Sequence, residues 1–277
     1  MSTADPCGMR ILSIEPSPVH TWPYLSASPQ GKSELVHLPL LRATVDVLPE
    51  GLEALIALSD LQGVATSAVN EGAATLLGEV LAEELALMGD LGELPHPNHV
   101  GILLAGDLYS DPSGAVRGAS GDVRGVWRAF AERFRWVAGV AGNHDTFGTA
   151  RDRERLRQLP GLHLLDGEVR ELDGLRVGGV SGIIGRADKP GRREEEAFLD
   201  LLQEVLRPRP ELLVLHQGPD DPSREQRGHP GIRAALDVEA PPLTVCGHAH
   251  WDEPLTELPS GAQVLNVDGR AVWLRRA

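Results

Sequence analysis

Residues 137–147, VAGVAGNHDTF, decide how the rest of the chain is read. An apolar, strand-like run through Trp136, Val137 and Val140 leads straight into Gly142-Asn143-His144-Asp145, so three polar side chains stand at one strand end. Asn143 offers a carbonyl oxygen, His144 an imidazole able to give or take a proton, and Asp145 a carboxylate able to orient its neighbour. Gly, Asn and Asp also dominate ordinary turns, and the tetrapeptide alone does not separate the two readings.

Four further stretches repeat the design. Residues 55–59 (LIALS) run into Asp60-Leu61-Gln62-Gly63, and residues 100–105 (VGILLA) run into Gly106-Asp107, so each ends near a carboxylate. Residues 212–215 (LLVL) end at His216, and residues 243–246 (LTVC) end at Gly247-His248-Ala249-His250. Short apolar runs of this kind read as buried strands of an α/β sheet, whose ligands gather outside the carboxyl ends. Five such ends can converge on one site. Gly89-Asp90 and Gly121-Asp122 carry the same dipeptide without an apolar strand before it, and they are set aside.

The ordered series Asp60-x-Gln62, Gly106-Asp107, Gly142-Asn143-His144-Asp145, His216 and Gly247-His248-x-His250 resembles the motifs of the calcineurin-like metallophosphoesterases, from Asp60 to His250. The resemblance implies a four-layer α/β/β/α sandwich of two mixed sheets, with the metal site at the carboxyl ends of the strands. It also implies two divalent metals. Asp107 would bridge them, Asp60 and His250 would hold the first, and Asn143, His216 and His248 the second. His144 would be catalytic, meeting the leaving group as an acid, with Asp145 or another carboxylate orienting it.

One position departs from the family's pattern, which has Asp-x-His where this chain has Asp60-x-Gln62. A neutral amide oxygen replaces an imidazole nitrogen, which disfavours Zn, Fe, Ni or Cu there and affects Mn or Mg less. Gln62 coordinates through oxygen, or water replaces it, or the first site is weak. Mn is the favoured ion, with Fe, Zn or Mg as alternatives. His20 and His37 read as surface or packed histidines.

The formal net charge of −14 disfavours a broad nucleic-acid-binding surface. With 42% hydrophobic residues and a mean hydropathy of −0.15, the composition fits a globular protein. No segment reaches the roughly 18 apolar residues of a membrane span, and the first residues show no leader pattern. Cys7 and Cys246 are too few and too far apart for a disulfide framework, so a reducing cytoplasm is expected.

One domain over residues 1–277 is expected, with residues 1–50 a strand-rich extension: strands at 9–14 and 35–48 flank a Pro/Ser-rich connection, 16–32. Helices are expected at 73–88, 126–134, 151–159 and 194–206, and a hairpin at Asp173-Gly174. Residues 110–124 read as a loop near the site, with Asp111 an exposed turn residue or a support for His144. Residues 186–193 (RADKPGRR) read as a basic loop, either contacting substrate phosphate or simply solvated. His163 reads as a core histidine. Strands at 255–258, 263–267 and 271–275 are expected to complete the second sheet. The gapped motif 31–33 (GKS) lacks the first glycine of a phosphate-binding loop, and 178–182 lacks the dinucleotide fingerprint.

The expected function is a metal-dependent phosphoesterase acting on a small phosphorylated substrate through a metal-bridging hydroxide. Asn-His-Asp leans toward phosphodiesters or small nucleotides. A phosphomonoesterase and a non-catalytic scaffold are the alternatives, the latter motivated by Gln62.

Overall fold

The computed structural model describes residues 8–65 and 74–277. Cys7 and Ala73, the expected first residue of a helix, lie outside them. A first sheet runs, in spatial order, through Leu162–Leu164, Trp136–Gly139, Val100–Leu104, Ala54–Leu58, Ala271–Arg276, Ser33–Val45, His20–Ala27 and Val64–Ala65, and Ile11–Ile14 also pairs with Ser33–Val45. A second runs through Glu168–Leu172, Leu175–Val180, Leu212–Gln217, Leu243–Gly247, Gln263–Asn266 and Leu255–Glu257. Both are mixed. Four parallel strands of the first meet Ala271–Arg276 antiparallel, and four parallel strands of the second are flanked by antiparallel edges.

Alternation along each strand explains why the sheets stack. In Ala54–Leu58, Ala54, Ile56 and Leu58 face one core while Leu55 and Ala57 face another. The first core lies under helices α1 (Leu77–Asp90), α2 (Arg124–Arg133) and α3 (Ala150–Arg157), which contribute Leu81, Leu85, Trp127, Phe130 and Leu156. The second lies between the sheets, where Leu55, Leu103 and Leu274 meet Val177, Val214 and Val245. The third buries the outer face of the second sheet under α4 (Glu195–Leu206) and α5 (Pro230–Val238) through Phe198, Leu202, Ile232 and Leu236. Three cores between four layers make the expected α/β/β/α sandwich. Strands buried on both faces read as continuous apolar runs, which is how the sequence shows them.

Two expectations about the strands need correction. Ala271–Arg276 belongs to the first sheet, paired with Ala54–Leu58 and Ser33–Val45. Ala271 and Trp273 face the helix layer while Val272 and Leu274 face the other sheet, a burial pattern that both sheets share, so sequence alone does not assign it. The supposed connection at 16–32 contains the strand His20–Ala27, which forms a long hairpin with Ser33–Val45. Its Thr21, Trp22 and Tyr24 are strong strand formers, and Pro23 and Ser26 masked them.

The expected hairpin turns at Asp173 (φ 51°) and Gly174 (φ 84°), where two successive left-handed residues match the twist of the strands. Arg135 donates to both Asp173 carboxylate oxygens, tying the second sheet's hairpin to the first sheet.

Candidate metal centre

The turns that follow the central strands meet between the two sheets. Asp60, Asp107 and His248 are three of the six non-glycine residues with positive φ among the described residues, at 54°, 55° and 69°. Left-handed backbone of this kind costs of order 1–3 kcal/mol per residue and gathers at functional sites. Two glycines let the turns touch. A Cβ on Gly106 (φ 90°) would lie 2.4 Å from the Gly142 nitrogen, and one on Gly142 would lie 2.0 Å from Asp107 Oδ1. Gly106→Ala is therefore expected to lose at least about 2 kcal/mol of stability, read as a lower urea midpoint.

The ligand atoms of Asp107, His216 and His248 all lie within 4.8 Å of one another. His216 is fully buried, and its Nδ1 sits 2.7 Å from the Ala105 carbonyl, to which it donates. That bond fixes the tautomer and leaves the Nε2 lone pair facing Asp107 Oδ2 at 3.3 Å, in a geometry that makes no hydrogen bond. Asn143 Oδ1 is a second buried acceptor without a donor. Buried acceptors without donors are costly unless a cation satisfies them. The donor set of carboxylate, imidazole and amide oxygen therefore fits a divalent ion.

The local electrostatics agree. Burial pushes Asp60 up to about 8 against the pull of His216, and Asp268 and Asp107 add to the rise. Burial alone would raise Asp107 too, but His216 and the His144 backbone N–H hold it down at about 2. Burial opposes the protonation of His216, yet the Asp107 and Asp60 charges keep it up at about 10. Burial and His216 push His248 down to about 4. Shifts in these directions mark a cluster of buried carboxylates that demands positive charge.

The other expected site residues are placed as follows. Asp60 Oδ2 accepts from Ser59 Oγ at 2.6 Å and from the His248 N–H at 2.9 Å. Gln62 Nε2 donates to Asp107 Oδ2 at 3.2 Å. The His144 N–H donates to Asp107 Oδ1 at 2.9 Å, while its ring Nδ1 lies 3.1 Å from Ser120 Oγ. Asp145 does not orient that ring. Its carboxylate accepts from the N–H groups of Asp107, Leu108 and Gly142, at 2.9, 2.7 and 2.8 Å, and so clamps two site turns together. His250 stands apart: it is exposed, with Arg270 Nη2 3.2 Å from its Nε2.

Of the basic loop, Arg186 pairs with Asp188 and Arg193 with Asp166, whereas the Arg192 charge bears on His248. Asp111 accepts from Ser113 in an exposed turn. The pair Gly121-Asp122, set aside above, forms a two-residue parallel strand with Asp145-Thr146, supporting the turn without lining the cluster. A cleft of about 420 Å³ opens beside Asp60, Gln62 and His248, with Tyr24, Glu34, Tyr109, Arg117 and Asp268 in its wall. Sequence reading missed Ser120 and Asp268. The second had a signal, since the apolar strand Gln263–Asn266 runs on to Asp268-Gly269 just as other strands run to their site residues.

A family model described as calcineurin-like phosphoesterase matches residues 55–252, which include every expected site residue. The chain belongs to the calcineurin-like phosphoesterase family. It is accordingly a metal-dependent phosphoric ester hydrolase. Among solved structures, TT1561 of Thermus thermophilus is similar at 16% identity and a TM-score of 0.55, over 78% of this chain and 89% of that one. At that identity the likeness speaks for the fold alone. A 5'-nucleotidase precursor from the same organism aligns at 15% identity and a TM-score of 0.41, over 78% of this chain and 48% of that one. No curated protein sequence matches this phosphoesterase. Among the described residues, no helix is long and apolar enough to cross a membrane.

Proposed function

We propose that this phosphoesterase hydrolyses small phosphodiesters or nucleotides at a two-ion centre built by Asp60, Asp107, Asn143, His216, His248 and His250. Mn is the ion that best suits the mixed oxygen and nitrogen donors. When bound, divalent ions supply Lewis acidity, lowering the pKa of water and polarising phosphoryl oxygens. The protein's own groups do the rest. Asp107 fixes the centre between the sheets, Asp145 holds the Asp107 and Gly142 turns in register, and His144 gives a proton to the departing oxygen.

The diester reading is carried by the charge of the cleft. Beyond the proposed ligands, its wall sets Glu34 and Asp268 against Arg117. A diester carries one negative charge where a monoester carries about 1.5 to 2 near neutrality, so the acidic wall disfavours the monoester more. With Mn supplied, kcat/KM for bis-p-nitrophenyl phosphate is expected to exceed that for p-nitrophenyl phosphate by about tenfold, the equivalent of about 1.4 kcal/mol. The opposite ratio would make the protein a monoesterase, and hydrolysis of neither ester would refute the diester reading.

On the same reading, residues 1–277 form one cytoplasmic domain and residues 1–50 are an extension of its first sheet. Support comes from the hairpin of that extension, whose Tyr24, Ser26 and Glu34 reach the wall of the cleft.

A further inference from the structure

A second opening lies against the Asn143 turn, separate from the cleft beside Asp60 and His248. It has a volume of about 220 Å³, and its wall holds Arg153, Arg192 and Arg193 together with Phe147, Asp145 and Asp166. Pockets for drug-sized ligands run to roughly 300–1,000 Å³, so this one suits a single compact group. Arg153 comes from α3, and Arg192 from a two-residue strand, Arg192–Arg193, paired parallel with Ile183–Ile184. Packing ties the opening to the centre. A Cβ on its Gly191 (φ 66°) would lie 2.6 Å from the Asn143 Cα, and its Gly142 directly precedes Asn143.

Each charge in the wall can be followed to its partners. Arg193 is committed: Nη1 donates to the Ser181 carbonyl, and Nη2 donates to both Asp166 oxygens, at 3.0 and 2.8 Å. Asp145 is committed as well, through the three N–H groups it accepts. Arg153 is not. Its Nε is buried without an acceptor, and its Nη2 stops 3.7 Å from Asp166 Oδ2, beyond hydrogen-bond length. Its guanidinium lies 5.5 Å from the centre of the Phe147 ring. Among the described residues the Arg192 side chain has neither a hydrogen bond nor an ion pair, and its charge bears on His248.

A guanidinium is a planar fork of N–H donors that matches phosphoryl oxygens two at a time. Arg153 and Arg192 bring two such forks to one pocket, with no protein acceptor hydrogen-bonded to either among the described residues. With Asp166 neutralised by Arg193, their charge is left over. We propose that this pocket holds a phosphoryl group other than the one being hydrolysed, bound by Arg153 and Arg192. The group is either a second phosphate of the substrate or free inorganic phosphate. The binding site stands on the pocket alone, whereas its use by a substrate rests on the phosphoesterase reading above. It also gives the centre a direction, since a second phosphate is received at the Asn143 turn and repelled by Glu34 and Asp268 in the cleft.

The test observes the two guanidinia directly. The full chain, loaded with Mg²⁺ and labelled with ¹⁵N-arginine, is titrated with inorganic phosphate and followed by nuclear magnetic resonance. The Nε–H signals of Arg153 and Arg192 are identified by their loss in Arg153→Lys and Arg192→Lys. Both are expected to shift together and to saturate below about 10 mM phosphate. Arg153→Gln, checked for native circular dichroism, is expected to weaken the Arg192 response at least about tenfold, and Arg192→Gln to do the same to Arg153. No saturable shift of Arg153 overturns the proposal. A shift of Arg192 alone overturns it too, because that places the phosphate at the metal ions. With Mn²⁺ supplied, a thymidine dinucleotide carrying a 5′-phosphate is then compared with the same dinucleotide without it. A kcat/KM advantage of at least about tenfold, lost in Arg153→Gln, assigns the pocket to the substrate, and equal values assign it to free phosphate. If neither dinucleotide is hydrolysed, the activity reading fails while the arginine signals still decide the pocket.

Discussion

Replacing His144 by alanine is expected to lower turnover by about a hundredfold to ten-thousandfold while leaving metal content near that of the wild type. The separation of roles follows from how the residue is held. Its backbone N–H serves Asp107 Oδ1, which alanine preserves, and its ring lies outside the close group of Asp107, His216 and His248. The ring instead has Ser120 Oγ 3.1 Å from Nδ1, so Nε2 is the nitrogen available to a departing oxygen. Substrates with good leaving groups need little protonation, and bis-p-nitrophenyl phosphate should therefore suffer less than an alkyl ester. Equal loss on both esters would remove the acid role. Loss of metal from His144→Ala would move the residue into the ligand set.

Asp107→Asn is the companion substitution, and its expected signature is the reverse. Asparagine keeps the size of the side chain and an acceptor for the His144 N–H, but it removes the charge on which His216 and His248 converge. Metal content should fall sharply after dialysis. Turnover should drop on the order of a thousandfold or more, because several kcal/mol of phosphoryl-oxygen stabilisation go with the ions. Plasma mass spectrometry and kcat at saturating Mn check both halves. Retention of bound metal with more than about a tenth of the activity would take Asp107 out of the ligand set.

The strand ends were legible because burial on both faces keeps charged residues out of the central strands, so the first charged or ligating residues mark where each leaves the core. Asp60, Asp107, Asn143 and His216 were found that way, and the sandwich follows from the same runs. What the chain concealed was direction in space. Asp145 could orient His144 or cap backbone, and only the packing of Gly106 on Gly142 shows that three N–H groups claim it first. Ala271–Arg276 has a pattern that fits either sheet, so its partner depended on the path of the loop before it. Asp268 went unremarked because an Asp-Gly pair is turn chemistry wherever it falls.

The placement of Ala271–Arg276 between Ala54–Leu58 and Ser33–Val45 bears on how the polypeptide assembles during synthesis. The last described strand to leave the ribosome is a middle member of the first sheet. Until it arrives, Ala54–Leu58 and the 13-residue strand Ser33–Val45 present unpaired backbone toward each other, a surface open to neighbouring nascent chains. Closure of the first sheet thus waits for this strand, and removing Ala271–Arg276 should leave the earlier elements with a gap they cannot seal.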